Sequence, residues 1–327
     1  VKIKLEETLT ENRATVYDSV GIGLGTYRYD SQFEEYVPDP NGTYIAYTIL
    51  TGSRKPTTKF EGIQRLEYDF GKRLNSKFKD IKYRLDWLWD FNGQNFSINR
   101  YREDDLNAST IIRSRSQLRH EWDYVNRTGR QIRTWWLGEK NLNNLDPRGA
   151  DLRRNTELAV DWLEPISANT HAVIKLNQHD ANVESGFSHS RDRSAQGTWA
   201  EIGIKKRFSS LWQTEALLQN GYDAGQHQMS NYSASLHGIR LDILHFFSSK
   251  GRLQGRFEWA TVGLDGAAAF PPPEAVRGHA LGNTRKVNVQ GHILLRQNFS
   301  INVTINYISD IRYDNFINIT GEIRAYF

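Results

Sequence analysis

The chain lacks cysteine entirely and carries a single methionine among its 327 residues. The absence of cysteine excludes a disulfide scaffold, a thiolate metal site and a cysteine nucleophile. No stretch approaches 18 consecutive apolar residues, so the sequence contains no transmembrane helix.

Apolar residues and basic clusters are also scarce. Hydrophobic residues make up 38% of the chain, below the roughly 45–50% usual in soluble domains, and the mean hydropathy is −0.64. The net charge is only +4, which argues against a dedicated nucleic-acid binder, and no nucleic-acid partner is expected. Aromatic residues, by contrast, reach 12%, far too many for a disordered chain.

The beginning of the chain differs from the rest. Residues 1–6 contain no apolar segment typical of a secretory signal and no initiator methionine, so we expect a mature chain or a fragment. Asn41-Gly42 after Pro40 predicts a tight turn flanked by short strands. Residues 1–55 are therefore interpreted as a segment of short strands and turns.

From Phe60 onward, apolar and polar residues alternate with a period of two. In the last segment Ile317, Ile319 and Ile323 share one parity, whereas Asn318 and Thr320 share the other. Apolar positions do not recur at spacings of three and four, which excludes helices. We count about thirteen such strands after Phe60 and one more at residues 44–50, about 14 in total.

The strands are too long for a soluble β-sandwich, whose strands usually have about five or six residues. Their length matches the roughly nine to eleven residues that cross a bilayer at a tilt. Connections alternate between short turns, such as residues 125–129 and 208–211, and long loops, such as 93–109, 180–197 and 265–283, with a medium loop at 220–231. This alternation is expected of an outer-membrane barrel, whose two rims differ in loop length.

One segment breaks the alternation. Around Gly238 the apolar parity changes from that of Leu236 to that of Ile239 and Leu241. An extra residue in one strand shifts parity in this way, so the sequence predicts a β-bulge at Gly238.

The polar side chains, which occupy alternate positions of each strand, are expected to face the lumen of the barrel. These positions are dense in charge of both signs, and cross-strand neighbours lie within about 5 Å, so opposite charges can pair. Such a wall either lines an aqueous pore or fills a narrow lumen, and the sequence slightly favours a water-filled or partly plugged lumen. The expected lumen-lining residues are Arg65, Glu67, Asp69, Lys82, Arg84, Asp86, Asp90, Arg113, Arg115, Arg119, Glu121, Arg252, Arg256, Glu258, His292 and Arg324.

Three arginines of this wall allow two interpretations. Arg113, Arg115 and Arg119 form either a ladder for anionic solutes or structural pairs with carboxylates of the neighbouring strands. We favour the pairs, and the expected partners are Glu67, Asp69, Asp86 and Asp90.

The apolar parity is rich in tryptophan toward the strand ends. Aromatic girdles at the two membrane interfaces would place tryptophans there, whereas a sandwich core is the alternative. The residues concerned are Trp87, Trp89, Trp122, Trp136, Trp162, Trp199, Trp212 and Trp259.

No catalytic or metal motif stands out. His179-Asp180 and His189 fall in an expected loop, and His292 is expected in the lumen near Glu258. The acidic residues around Asp39 do not match the spacing of a calcium loop. We therefore expect no catalytic residue, no metal and no cofactor.

The end of the chain resembles known proteins. Phe327 closes the last amphipathic strand, an ending that resembles the assembly signal of bacterial outer-membrane proteins. Residues 321–327 and the segment Pro38-Asp39-Pro40-Asn41-Gly42 resemble the C-terminal barrel of large Bacteroidota- and Chlorobi-type surface proteins. This resemblance implies an outer-membrane location, a β-barrel fold and recognition of Phe327 by the assembly machinery of that membrane.

These features predict an all-β transmembrane, antiparallel up-and-down β-barrel of about 14 strands over residues 56–327. Residues 1–55 would be surface-exposed or contribute its first strand. The expected function is to anchor or form part of a surface or secretion-related assembly. The alternatives are a diffusion porin for small polar or anionic solutes and, third, a barrel enzyme acting on lipid or peptide. Expected partners are outer-membrane lipid and lipopolysaccharide, the assembly machinery and other envelope proteins.

Overall fold

The computed structural model describes residues 1–21, 24–31, 34–73, 80–94, 111–247, 250–296, 299–312 and 314–325. These residues form one 16-stranded sheet in which the strand pairs are antiparallel. Within the described ranges, helical structure is limited to the four residues of α1 (Phe70–Arg73) and two three-residue 3₁₀ turns. None of these helices is long and apolar enough to cross a membrane.

The strands follow one another along the chain with short interruptions. Their bounds are β1 (Lys2–Ser19), β2 (Gly25–Asp30), β3 (Glu35–Gly42), β4 (Tyr44–Asp69), β5 (Ile81–Gly93), β6 (Ile111–Val125), β7 (Gln131–Asn143), β8 (Asp151–Ser167), β9 (Thr170–Ser185), β10 (Arg193–Arg207), β11 (Trp212–His227), β12 (Ser230–Phe246), β13 (Gly251–Gly266), β14 (Gly282–Arg296), β15 (Phe299–Ser309) and β16 (Phe316–Ala325).

From β4 to β16 each strand pairs with the next, which confirms the predicted all-β, up-and-down arrangement. β1 pairs with β4 from Lys2↔Ile63 to Ser19↔Tyr44, and the β2–β3 hairpin joins β4 at Tyr27↔Tyr44. β5 reaches only Thr58 on β4, so the first part of β4 and its β1 partner continue past β5 as a two-stranded ribbon. In the described residues β1 and β16 do not pair with each other, and the sheet is not closed.

The predicted strand count was wrong. The sequence indicates about 14 strands, with residues 44–50 as a separate strand, but the sheet contains 16. Residues 44–50 belong to the same strand as Phe60, and β1, β2 and β3 precede it. The polar residues 51–59 separate the two apolar stretches in the sequence, yet pairing with β1 keeps them extended. Gly52, with φ of +76°, lies beside the register shift between Glu11 and Arg13, which marks a β-bulge.

Connections at the two ends of the sheet differ in length, as predicted, with exceptions. At one end, the turn end, residues 168–169 connect β8 to β9 and 208–211 connect β10 to β11; at the other, the loop end, lie residues 144–150, 186–192 and 267–281. The expected medium loop at 220–231 was wrong, because β11 and β12 continue to a two-residue turn at Gln228 and Met229. Both residues have positive φ, 51° and 61°, as tight hairpin turns require.

The predicted bulge at Gly238 was also wrong. Gly238 pairs in uninterrupted register with Gln219 on β11 and Ala260 on β13. Leu236 therefore lies on the same face as Gly238, where it is fully buried in a hydrophobic cluster that includes Val276. The apolar residues change from even to odd positions because Leu236 is covered by the cluster that contains Val276, not because the backbone register shifts.

The burial of side chains on the two faces of the sheet is the reverse of that in a water-soluble protein: apolar side chains are exposed and charged side chains are buried. On one face, called the apolar face, large side chains are exposed, among them Ile202 at 55% and Leu218 at 67%. On the opposite, charged face, the carboxylates of Glu121, Glu201 and Asp223 are at most 1% exposed. Charged side chains are almost never buried without partners, so the charged face must contain an organised network.

Candidate functional site: the charged face and its folded-in loop

Glu121 is the centre of a charge network on β5, β6 and β7. Its carboxylate accepts a hydrogen bond from Arg84, lies 2.6 Å from Arg119 Nη2 and 3.7 Å from Arg133 Nε. Arg119 also lies over the ring of Trp135, with 5.3 Å between the guanidinium carbon and the ring centroid. Three guanidinium groups thus compensate one buried carboxylate.

The register places the remaining predicted residues of β4, β5 and β6 on the same face. Arg65, Asp86 and Arg119 lie opposite one another on successive strands, as do Glu67, Arg84 and Glu121 and also Asp69 and Lys82. Arg65 pairs with Asp86, and Lys82 lies 4.0 Å from Asp69. The structure therefore brings these residues together on the charged face.

The three arginines considered as a ladder are paired with carboxylates. Arg113 lies 3.8 Å from Asp90, one of the predicted partners. Arg115 lies 2.9 Å from Glu139 and Arg119 pairs with Glu121, partners that the prediction did not include. The pairing interpretation is the one that fits these distances.

Glu201 is the centre of a second network, which the predicted residues did not include. It lies 3.0 Å from Arg240, accepts a hydrogen bond from Gln219 at 3.1 Å and pairs with Arg277. Arg240 continues the network to Asp242 at 3.0 Å. Glu201 lies at one of the alternate polar positions of β10, and this alternation could have identified it from the sequence.

Arg277 belongs to the folded-in loop, residues 267–281, which packs against the charged face. At its tip Val276 is fully buried, and its backbone N–H donates to Asp223 at 2.6 Å. Val276 and Arg277 both have positive φ, 44° and 50°, a conformation that non-glycine residues adopt only when the surroundings hold them. Buried apolar residues of β10, β12 and β13 surround this tip.

Three more polar contacts fix the loop. Glu274 makes two hydrogen bonds with Arg193, at 2.8 and 2.9 Å. His279 Nε2 lies 3.3 Å from Glu258. The guanidinium of Arg277 lies over Trp199, 4.7 Å from the ring centroid. The loop is thus bound to the charged face through Glu274, Arg277 and His279.

Three predictions about aromatic and histidine side chains need correction. Trp199 is 3% exposed and lies on the charged face, because it shares the parity of Glu201, whereas Trp122, Trp136, Trp162, Trp212 and Trp259 are exposed. His179 lies within β9, not in a loop, and its Nε2 is 3.1 Å from Asp223. His292 bonds Asn302, and the histidine near Glu258 is His279.

The other predicted residues lie at varied distances from these networks. Arg256 pairs with Asp242 at 2.6 Å, Arg324 with Glu322 at 2.8 Å, and Arg252 lies opposite His292 in the register. Phe327, the predicted assembly signal, lies outside the described residues. In the described part of the chain, no cluster of histidine and acidic residues could hold a metal ion.

A cavity of about 600 Å³ lies on the charged face beside the folded-in loop. β7, β8, β9 and β10 form its wall, and Glu274 and Arg277 of the loop form one side. Several of its residues, such as Asn141, Arg153 and Val183, come from the loop end of their strands. A second cavity, of about 650 Å³, is lined by turn-end residues that include Asp123, Arg133 and Lys175.

The β2–β3 hairpin contacts the loop end of the sheet through Tyr27. Arg148 Nη1 donates to the Tyr27 hydroxyl at 3.0 Å, and Arg148 Nη2 lies 2.7 Å from Asp146. The Arg148 guanidinium also lies over Phe187, 4.4 Å from the ring centroid. The hydrogen bond from Arg148 outweighs burial and holds the pKa of the Asp146 carboxyl below its usual range.

This pKa shift predicts when the hairpin contact is lost. A carboxyl with a lowered folded pKa stabilises the fold above its ordinary pKa of about 4, and that stabilisation is lost as pH falls through the lowered value. We expect a dye on Tyr29→Cys to report an unchanged environment between about pH 5 and 7 and release of the hairpin only below about pH 4.

The matched substitution separates this effect from general acid unfolding. Asp146→Asn should release the hairpin at neutral pH, whereas Asp180→Asn, which removes a carboxyl with no ion pair in the described chain, should not. A dye signal that titrates identically in both variants would contradict the assignment to Asp146.

Comparisons with known proteins give partial structural likeness. No protein-family model and no curated protein matches the chain. It aligns with the FrpB iron transporter from Neisseria meningitidis, at 9% identity and a TM-score of 0.43, over 93% of this chain and 57% of that one. It aligns with CdiB from Acinetobacter baumannii at 9% identity and a TM-score of 0.47, over 99% of this chain and 59% of that one. With the ferric-catecholate import receptor Fiu from K12 E. coli, the identity is 9% and the TM-score 0.41, over 98% of this chain and 65% of that one.

These three solved structures are outer-membrane β-barrel proteins. The chain spans between 57% and 65% of their lengths. Because no family model matches, the resemblance to large Bacteroidota- and Chlorobi-type surface proteins stays a prediction.

Proposed function

We propose that this chain forms an outer-membrane β-barrel with a filled interior, which anchors a surface or secretion-related assembly. The observation that carries the proposal is the reversed burial of the two faces, with exposed leucines and isoleucines on one and buried, paired carboxylates on the other. In water, exposed apolar surface on this scale would cause association, whereas in a bilayer it is the expected surface.

Strand length and aromatic placement support the same environment. Most strands have 13–17 residues, for example 13 in β5 and 17 in β12, enough to cross a bilayer at a tilt. Exposed tryptophans such as Trp122 and Trp212 lie near strand ends, where membrane interfaces favour them.

The proposal requires closure of the sheet. Unpaired backbone groups cost several kcal/mol each in lipid, so the free edges of β1 and β16 need partners. β4 is antiparallel to β1, and since the number of strands from β4 to β16 is odd, β16 runs parallel to β4 and therefore antiparallel to β1. Pairing of β1 with β16 would close the wall and leave the β2–β3 hairpin at the loop end.

A filled interior favours anchoring over diffusion. The networks around Glu121 and Glu201 cross the charged face, and the folded-in loop adds Val276 and Arg277 to the same space. A diffusion porin for small polar or anionic solutes remains the second candidate. In this proposal the protein is not an enzyme, and its partners are outer-membrane lipid, lipopolysaccharide, the assembly machinery and other envelope proteins.

Cysteine cross-linking tests the closure. The native chain has no cysteine, so Lys4→Cys can be combined in turn with Thr320→Cys, Glu322→Cys or Arg324→Cys, which share one face of β16. We expect one of these pairs to form an intramolecular disulfide in the membrane-inserted protein, since two cysteines bond only when their Cα atoms lie within about 7 Å.

A pair that the sheet keeps apart is the control. Lys4→Cys combined with Asn288→Cys on β14 should not cross-link, because β15 and β16 lie between them. If no β1–β16 pair reacts while free thiols remain, the closed barrel is wrong.

A further inference from the structure

The cavity beside the folded-in loop contains polar groups without partners. Trp199 is 3% exposed, and its indole Nε1 has no hydrogen-bond acceptor. Among the described residues, Asn141, Arg153 and Asn155 make no side-chain hydrogen bond or ion pair, although all line the cavity. Buried polar groups are normally satisfied, so the buried Trp199 Nε1 points to a ligand. Arg153 is exposed and Asn141 and Asn155 are half-buried, which leaves their polar groups accessible to that ligand.

Two charged residues of the cavity wall make no ion pair in the described structure, although Arg153 interacts electrostatically with Glu274. Arg153 and Glu157 share one face of β8, four residues apart, which corresponds to about 13 Å along the strand. Glu157 Oε1 accepts only neutral donors, Trp135 Nε1 at 3.2 Å and Asn177 Nδ2 at 2.6 Å. The other Arg and Glu side chains of the cavity are already paired: Glu139 with Arg115, Arg154 with Glu184, Glu274 with Arg193 and Arg277 with Glu201.

We propose that this cavity binds a short zwitterionic peptide of about three residues, which spans roughly 10 Å when extended. Its terminal carboxylate pairs with Arg153, and its ammonium group pairs with Glu157. The unpartnered Trp199 Nε1 and the amides of Asn141 and Asn155 provide hydrogen bonds to the peptide backbone between the two ends.

The cavity excludes other small solutes on electrostatic grounds. A simple anion would pair with Arg153 and leave Glu157 uncompensated, and a simple cation would do the reverse. A neutral oligosaccharide would displace water from both charges without pairing either, which is unfavourable. The volume of about 600 Å³ lies within the range of ligand sites, about 300–1,000 Å³.

Calorimetric titration of the purified full chain in detergent micelles tests the proposal. The probes are tri-alanine, its N-acetyl form, its C-terminal amide and the doubly blocked peptide. Tri-alanine should bind, and blocking either end should weaken binding roughly tenfold to a hundredfold, the usual loss for a charged hydrogen bond.

Two substitutions assign the ends. Arg153→Gln should abolish the preference for a free carboxylate while keeping the preference for a free amine, and Glu157→Gln should do the opposite. Arg252→Gln, a charge-matched control on β13 outside the cavity, should bind tri-alanine as the wild type does.

Equal binding of the doubly blocked peptide, equal binding of a neutral trisaccharide, or no binding of tri-alanine at millimolar concentration would overturn the proposal. Because the blocked peptides test unchanged protein, misfolding of a variant leaves the test intact. The cross-linking of β1 to β16 is independent of this result, so failure of peptide binding is distinguishable from failure of the barrel.

Discussion

Replacing Glu201 with alanine is expected to lower the free energy of unfolding by about 3–5 kcal/mol, since it removes one partner of a buried ion pair. Glu201 is 1% exposed and compensates Arg240, at 3.0 Å, and Arg277. Its loss would deprive both guanidinium groups of their shared carboxylate and would remove the charge that holds the tip of the folded-in loop. No comparable substitution on the apolar face removes so many polar contacts.

Unfolding by urea in detergent micelles, followed by tryptophan fluorescence, measures this effect. Glu322→Ala is the control, because it breaks an exposed pair in which the side chains of Glu322 and Arg324 are 52% and 54% exposed. This substitution should lower the free energy of unfolding by only about 0–1 kcal/mol. Equal, small losses in both variants would show that the network around Glu201 contributes no specific stability.

Replacing residues 267–281 with a short Gly-Ser turn is expected to convert a closed interior into a conducting one. This substitution removes the buried Val276, the Arg277–Glu201 pair and the His279–Glu258 contact together. The space that they occupied would fill with water. We therefore expect wild-type protein in planar bilayers to show no stable open steps and the loop variant to show them.

The control replaces residues 187–191 with the same turn, since this loop places no side chain against Glu201, Asp223 or Glu258 in the described structure. It should remain closed. Open steps in the wild type would favour the diffusion porin, and silence of the loop variant would show that the loop does not fill the interior.

The sequence predicted what depends on neighbouring residues and missed what depends on distant ones. A period of two is a local property, so the strands after Phe60 could be derived from alternation, whereas the pairing of Arg65 with Asp86 depends on a register that the sequence does not show. Pairing of β1 with β4 could not, because polar residues 51–59 carry no local strand signal and are extended only through β1.

The folded-in loop shows the same limit. Its extent, residues 267–281, lies within the predicted loop at 265–283, but nothing local indicates that its tip turns toward the charged face. Val276 meets Asp223, 53 residues away, and Arg277 meets Glu201, 76 residues away. The wrong bulge at Gly238 followed from this omission, since Leu236 belongs to a buried cluster to which the loop contributes Ala275 and Val276. Sequence pattern shows which face a residue occupies, but not what covers that face.

Single-cysteine labelling of β14 in lipid vesicles measures directly whether the apolar face contacts lipid and the charged face encloses the interior. Nitroxide labels would be placed one at a time at Val287, Asn288, Val289 and Gln290, consecutive residues of β14. We expect alternation with a period of two, in which Val287 and Val289 are accessible to oxygen dissolved in lipid and Asn288 and Gln290 are not. Equal accessibility of all four positions to a water-soluble reagent would contradict it.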